Sequence, residues 1–194
     1  MALFNKEFWT DLYQKNQIGW DIGSPSIPLK DYIDQLKDKN LSILIPGAGN
    51  AYEAEYLFKK GFKHVVAIDI SLEPLINIQN RLPNFPKENL IYGNFFEHHQ
   101  QYDLILEQTF FCALSPSLRE NYVNHMHQLL KPKGKLIGVV FTSPLNSDIP
   151  PFAATKEEYV NLFKSKFYFN VFENCYNSIK PRQGRELFII LEKI

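Results

Sequence analysis

The stretch ILIPGAGNAYEAEYL, residues 43–57, decides the fold. An apolar strand runs into Gly-Ala-Gly and, two residues later, into a helical pattern. Where a parallel strand ends at such a turn, missing side chains let a ligand approach the backbone, and unpaired N–H groups at the start of the next helix attract negative charge. Outward from Leu41, short apolar runs alternate with helical patterns: SILIPG, a helix over about 50–60, HVVAIDIS, a helix over about 72–80, NLIYGNFF and YDLILEQ. A helix within SPSLRENYVNHMHQLLKPKG follows, with Ser115 as N-cap and Gly134 just past its end, and then KLIGVVFT. This order predicts an α/β fold with a parallel sheet and helices on both faces. After the fifth strand the rhythm changes to a proline-bearing loop, TSPLNSDIPPFAA, a helix over about 156–164, and two runs, FYFNVFENCY and RELFIILEKI. Those two pair as an antiparallel hairpin closing one edge of the sheet. The first forty residues stand apart as an aromatic helix NKEFWTDLYQ, the turn-rich GWDIGSPSIP and a short helix IPLKDYIDQLKD. The division expected is one domain over 1–194, with a helical cover over 1–40 and an α/β core over 41–194.

A chain of 194 residues with 45% hydrophobic and 22% charged residues has ordinary globular composition. Its 21 basic residues balance 21 acidic ones, so no whole-molecule field recruits nucleic acid or anionic lipid. The start, MALFNKEFWT, lacks a basic segment followed by an apolar core, and no later run approaches the roughly 18 apolar residues of a membrane span. A cytoplasmic protein, monomeric and without nucleic-acid or membrane partners, is expected. Cys112 and Cys175 sit in apolar surroundings without CxxC spacing and read as buried free thiols. His125 and His127 lie two apart on a helix and therefore on different faces, His98 and His99 lie in a polar loop, and His64 opens a strand. No metal site is expected from them.

Three strand ends define the ligand. Gly47 and Gly49 open the backbone, but position 52, where a dinucleotide fingerprint carries its third glycine, is Tyr52. That argues against NAD, and without a following GK[ST] there is no P-loop. A smaller anionic group, such as the carboxylate of an amino acid, fits instead. Asp69 ends the second strand, where an acidic residue accepts hydrogen bonds from ribose hydroxyls. At the end of the third, the Asn94 amide is placed for the polar edge of a base and Phe95 or Phe96 for its face. Each feature alone has a plain structural explanation: a tight turn, an N-cap, a core phenylalanine. Their ordered appearance at three successive strand ends points to an adenosine bearing an amino acid, S-adenosylmethionine.

With these residues in view, the chain resembles the thiopurine S-methyltransferase family, which includes thiol and halide methyltransferases. The likeness rests on WDIGSPSIPL (20–29), ILIPGAGNAYEAEYL (43–57), VVAIDIS (65–71), GNFFEHHQQYDLILEQTFFCALSPSLRENYVNHMHQLLKPKGKL (93–136), PPF (150–152) and PRQGRE (181–186). It implies a Rossmann-like class I methyltransferase with a seven-stranded, mostly parallel sheet whose last strand is antiparallel. It also implies that Gly47 and Gly49 lie under the methionine of the cofactor, Asp69 and Ile70 at the ribose, and Asn94 and Phe95 at the adenine. Glu107, Gln108 and Thr109 are to border the sulfonium, with Trp20 and the following loop closing over the cofactor. The sequence departs from the family pattern at Ala51, commonly glycine, and at Asn94, commonly aspartate.

Methyl transfer from a sulfonium is an in-line displacement, so the protein's work is alignment and the exclusion of water. A soft anion such as a thiolate or halide needs no base, whereas a neutral thiol would draw on Glu107 or a histidine. Trp20, Phe110 and Phe111 are the aromatic faces expected to favour the sulfonium. Glu107 and Phe111 are the candidate catalytic residues. Phe8, Trp9, Tyr13, Phe111, Pro151 and Phe152 are expected to wall a pocket for a small thiol or halide at the carboxyl ends of the strands. Arg182 and Arg185 read either as steering an anionic acceptor or as a solvated turn. The alternatives are transfer to oxygen, nitrogen or a metalloid oxyanion, a non-catalytic module that binds the cofactor and, last, a nicotinamide oxidoreductase.

Overall fold

The structure, a computed structural model, describes residues 4–143 and 148–194; residues 144–147 of the loop after the fifth strand lie outside the described residues. Seven strands form one sheet: β1 (Ser42–Pro46), β2 (His64–Asp69), β3 (Leu90–Tyr92), β4 (Tyr102–Gln108), β5 (Leu130–Phe141), β6 (Phe167–Asn174) and β7 (Glu186–Lys193). Their order is β3-β2-β1-β4-β5-β7-β6. The first five run parallel, and β7 lies between β5 and β6, antiparallel to both. The order reverses between β1 and β4, so the carboxyl ends of these two strands flank the crevice in which such sheets bind ligands.

Alternation along the strands builds a core on each face. Ile43, Ile45, Ala67, Leu104 and Leu106 pack with α2 (Ile27–Gln35), α3 (Tyr52–Lys59) and α4 (Glu73–Arg81) on one side. Leu44, Val66, Ile68 and Ile105 pack with α5 (Phe110–Ala113), α6 (Arg119–Leu129) and α7 (Lys156–Phe163) on the other. The first helix, α1 (Lys6–Gln14), has no buried residue and lies outside both cores. Among the described residues no helix is long and apolar enough to cross a membrane.

Three expectations are corrected in detail. The helix expected to run to Gly134 ends at Leu129, and residues 131–134 bulge out of β5 between the pairs Tyr102–Leu130 and Leu104–Lys135, with Lys133 at φ +63°. Pro132 is the reason: it has no N–H for a helical bond and it disfavours helical geometry at the residue before it. Lys131 is engaged there, its Nζ 2.8 Å from Asp103. Ser115 caps no helix; its hydroxyl lies 2.9 Å from that of Ser117, and a 3-10 turn over Pro116–Leu118 precedes α6. The third strand keeps only three residues because Asn94 starts a 3-10 turn over Phe95–Glu97.

The end of β4 brings the largest change of role. Glu107 and Phe111, expected at the reacting centre, are core residues at 0% and 1% exposure. Glu107 shares its strand face with Ile105. Its Oε1 accepts the Phe111 N–H at 3.0 Å, and its Oε2 has no partner among the described residues. Gly138 on the neighbouring strand leaves the room, since a Cβ there would come within 3.2 Å of Oε2. Burial pushes the carboxyl up to about 8. Glu107 therefore braces the start of α5 as a neutral acid at pH 7.

This predicts a pH-dependent stability. The folded-state pKa of about 8 lies above the ordinary 4.5, so between those values the unfolded state sheds a proton that the native state keeps, and stability falls as pH rises. Glu107→Gln mimics the neutral acid and does not titrate. The difference in Tm between variant and wild type should move in the variant's favour by at least about 4 °C from pH 5 to pH 8. Melting curves that stay parallel across that range would contradict the assignment.

Candidate active site

The loop after β1 is built from left-handed residues: Gly47, Gly49 and Ala51 have φ of +55°, +53° and +55°. Glycine suits the first two for steric reasons beyond φ. A Cβ on Gly47 would fall 2.1 Å from the Phe110 ring, and one on Gly49 would fall 3.2 Å from the Tyr13 hydroxyl. The bare backbone thus admits two of the protein's own aromatic side chains, one from the residue after Thr109 and one from α1. Ala51 holds the same left-handed geometry with a methyl group, at a cost of about 1 kcal/mol relative to glycine. Helix α3 begins immediately after it without a side-chain cap.

Asp69 fixes this loop. Its Oδ2 accepts the Gly49 N–H at 2.9 Å and its Oδ1 the Ser71 N–H at 2.9 Å. At 8% exposure, burial outweighs those backbone bonds and pushes the carboxyl up to about 6. Both oxygens therefore have backbone donors already, while each keeps a second lone pair for a ligand hydroxyl. Ile70 follows, half-buried.

At the end of β3, Asn94 is exposed and caps its turn: Oδ1 accepts the Phe96 N–H at 3.1 Å and Nδ2 donates to Glu97 at 3.1 Å. The Phe95 side chain departs from the expected stacking position. It is 5% exposed and packs edge-on against His125 at 4.7 Å and Phe110 at 5.1 Å between ring centres. His125 Nε2 donates to the Phe95 carbonyl at 2.9 Å. Only the backbone of Phe95 and the half-buried ring of Phe96 remain for a base. At the end of β4, Gln108 Oε1 is buried with no partner among the described residues, and Thr109 turns the chain at φ +58°.

The N-terminal segment closes the crevice. Thr10 and Ser71 hydroxyls lie 3.1 Å apart, Gln14 donates to Glu73 at 2.9 Å, and Lys6 sits 4.7 Å over the Tyr92 ring, so α1 spans the carboxyl ends of β2 and β3. Aromatic rings then form a continuous row. Phe152 meets Phe4 at 5.4 Å, Phe4 meets Phe8 at 5.1 Å, and Phe8 meets Trp9 at 5.1 Å. Trp20 joins at 5.5 Å from Trp9 and 5.7 Å from Tyr13. The Phe152 N–H donates to the Cys112 carbonyl at 2.6 Å, tying the far end to α5. Of the residues expected to wall the pocket, Phe8, Trp9, Tyr13 and Phe152 lie in this row, which Trp20 joins; half-buried Pro151 precedes Phe152, and Phe111 lies instead in the core against Tyr122 and Tyr159 at 5.1 and 5.2 Å. Its neighbour Phe110 takes the place on the glycine loop.

Loop 20–26 is pinned from below. Asp21 accepts from Asn50 Nδ2, and from the Tyr52 hydroxyl at 3.4 Å. Glu53, 5% exposed, accepts the Ser26 N–H at 2.8 Å. Arg182 donates to the Trp20 carbonyl at 2.7 Å and is not part of a solvated turn; Arg185 has an exposed side chain, and its backbone donates to the Arg182 carbonyl and accepts from Thr142. The bulky Tyr52 that argues against a dinucleotide thus holds the cover. The roles of Asp21, Asn50 and Glu53 escape a reading of sequence, although polar residues packed so tightly around the glycines were a visible signal. Cys112 is wholly buried, its Sγ accepts the Phe141 N–H at 3.2 Å, and burial pushes the thiol up to about 12, far from a reactive thiolate. Among the described residues no group of three or more His, Cys, Asp or Glu is placed to hold a metal ion.

These residues fit S-adenosylmethionine: a glycine loop whose backbone is approached only by Phe110 and Tyr13 among the contacts a Cβ would meet, an uncapped helix start for a carboxylate, a carboxylate with free lone pairs for ribose hydroxyls, and the orphaned Gln108 oxygen at the crevice. The family model described as thiopurine S-methyltransferase matches residues 4–193. A probable thiol methyltransferase 2 of Arabidopsis thaliana is 31% identical over 78% of this chain and 69% of its own. Thiocyanate methyltransferase 1 of Brassica oleracea is 26% identical over 92% of this chain and 81% of its own. Among solved structures, the 1,6-didemethyltoxoflavin-N1-methyltransferase of Burkholderia thailandensis, with its substrate and S-adenosylhomocysteine bound, superposes with a TM-score of 0.75 at 19% identity, over 97% of this chain and 86% of that one. With sequence, site and fold in agreement, the chain belongs to the thiopurine S-methyltransferase family of S-adenosylmethionine-dependent methyltransferases.

Proposed function

We propose that the protein moves the methyl group of S-adenosylmethionine onto a small soft nucleophile, a thiol, hydrosulfide, thiopurine, thiocyanate-like anion or halide. One observation carries this reading: an apolar row of rings from Phe152 to Trp20 runs directly onto the glycine loop, and the described residues of that row include no carboxylate or histidine. Such a wall strips water from a soft anion and leaves a harder oxygen or nitrogen acceptor without a base. The relatives named as thiol and thiocyanate methyltransferases support the same acceptor class.

In this reading Gly47 and Gly49 carry the methionine end of the cofactor, Asp69 and Ile70 its ribose, and Asn94 with the Phe95 backbone its adenine. Gln108 and Trp20 flank the reacting end. Bound S-adenosylmethionine supplies an activated methyl on a positively charged sulfur. The protein's part is to align the acceptor opposite that sulfur and to keep water out. Trp20 and Phe110 offer faces that favour the positive charge by about 0.5–2 kcal/mol. Glu107 and Phe111 act as positioning residues, holding α5 so that Phe110 lies on Gly47.

The direct test is incubation with methyl-labelled S-adenosylmethionine and a panel of thiols, hydrosulfide, thiopurines, thiocyanate and halides, with products identified by mass spectrometry and headspace capture. Labelled thioethers or methyl halides are expected. Label appearing only on oxygen, nitrogen or metalloid acceptors would overturn the acceptor class.

A second prediction concerns Asp69. In Asp69→Asn one amide NH2 must face a backbone N–H, so affinity for S-adenosylhomocysteine should fall at least tenfold, about 1.4 kcal/mol. Protonating the wild-type carboxyl does the same to one oxygen. Because its pKa is raised to about 6, affinity should weaken as pH drops through that value and hold above it. Calorimetry showing equal affinity for both proteins, or a flat wild-type profile from pH 5 to 8, would remove Asp69 from the ribose site.

A further inference from the structure

We infer that Arg182 is a latch for the N-terminal cover: it positions Trp20 against Trp9 and Tyr13, whose hydroxyl meets the glycine loop, and so governs closure on the cofactor rather than capture of the acceptor. This rests on the cofactor site proposed above. Arg182 is set by a 3-10 turn over Lys180–Arg182, far along the chain from Trp20, and its side chain is only 12% exposed. Its Nη2 donates to the Trp20 carbonyl at 2.7 Å. The buried Glu186 carboxylate faces it at 3.5 Å from Nη1, yet Glu186 Oε1 has no hydrogen bond among the described residues. The guanidinium lies 5.6 Å over the Phe141 ring. Phe141 and Glu186 are partners at the end of the β5–β7 pair, so the arginine stands on the rigid rim of the sheet.

The charge is therefore buried on the core and points its short hydrogen bond at the backbone of the cover. An arginine recruited to hold an anionic acceptor would present its donors to open space; this one is covered. What it holds leads straight to the site. The Trp20 ring packs edge-on against Trp9 and Tyr13, and the Tyr13 hydroxyl sits over Gly49. The Trp20 carbonyl has its donor in Arg182, while the next two tie points of the loop, at Asp21 and Ser26, go to the β1–α3 region. Of these three ties of loop 20–26, the one made by Arg182 leads to the β7 side of the sheet, where Asn177 and Phe188 also meet α2.

The test compares wild type with Arg182→Lys, Arg182→Met and the double variant Arg182→Met/Glu186→Gln, which leaves no buried carboxylate facing an absent charge. Three readouts are taken on the intact chain. Near-ultraviolet circular dichroism reports the geometry of the Trp9–Trp20 pair, these being the two tryptophans of the sequence. Calorimetry gives the Kd for S-adenosylhomocysteine, and initial rates give KM for cofactor and acceptor separately. The latch predicts a diminished tryptophan signal in Arg182→Met and in the double variant, Kd raised about tenfold or more, a cofactor KM raised alongside it whatever the charge of the acceptor, and partial recovery in Arg182→Lys. A folded double variant with the wild-type tryptophan signal and wild-type Kd overturns the latch, as does a rise confined to the KM of anionic acceptors. Should wild type itself fail to bind S-adenosylhomocysteine, the cofactor reading falls; the tryptophan signal still decides whether Arg182 holds the cover.

Discussion

A carboxylate buried between two backbone amides organises this molecule. Asp69, at the end of β2, takes one N–H from the loop after β1 and one from the turn after β2, so two neighbouring strand ends are locked to each other through a single side chain. The junction is dry, with Asp69 only 8% exposed, and that burial lifts its pKa to about 6. Ser71, fixed by the second of these bonds, donates its hydroxyl to Glu73 and accepts from the Thr10 hydroxyl of the cover. The glycine loop, fixed by the first, accepts Tyr13 and Phe110 where side chains are missing. Cover, glycine loop and α5 all converge on a geometry that this one residue sets.

The cover is correspondingly not a loose appendage. Helix α1 buries none of its residues fully and has little hydrophobic reason to fold alone. It is held by side chains from below: Ser71 and Glu73 along the helix, then Asn50, Tyr52, Glu53 and Arg182 along loop 20–26. Most of these anchors come from the turns that also form the cofactor crevice. In the proposed cofactor site, ligand and cover draw on the same residues, which suits a displacement whose main demands are alignment and dryness. It also explains how a bulky Tyr52 is tolerated beside the glycines: it serves the cover.

Much of this was legible in the residues. The strand YDLILEQ was placed at both ends, the hairpin of β6 and β7 followed from two apolar runs around a turn, and the three strand ends that carry Gly47, Asp69 and Asn94 were found by their order alone. What failed to show were side-chain directions and distant partners. Between Phe110 and Phe111 the chain enters a four-residue helix, so consecutive rings diverge, one to the glycine loop and one to the core. Strand alternation put Glu107 on the face of Ile105, a reading that period-two logic permits but that a motif match obscured. Phe95 was drawn into the core by His125 from a helix thirty positions on, and Arg182 by Trp20 still farther away; such pairings have no local signature.

In the proposed function the cover and the strand-end loops act as a single cofactor-binding unit. Hydrogen–deuterium exchange of the intact protein with and without S-adenosylhomocysteine reads that unit directly. The ligand should slow exchange together in residues 5–26, 47–53, 69–71 and 94–97, with the edge strand β6 and its neighbour β7 little changed. Protection restricted to the glycine loop with the cover unaffected, or no protection at these strand ends at all, would contradict it.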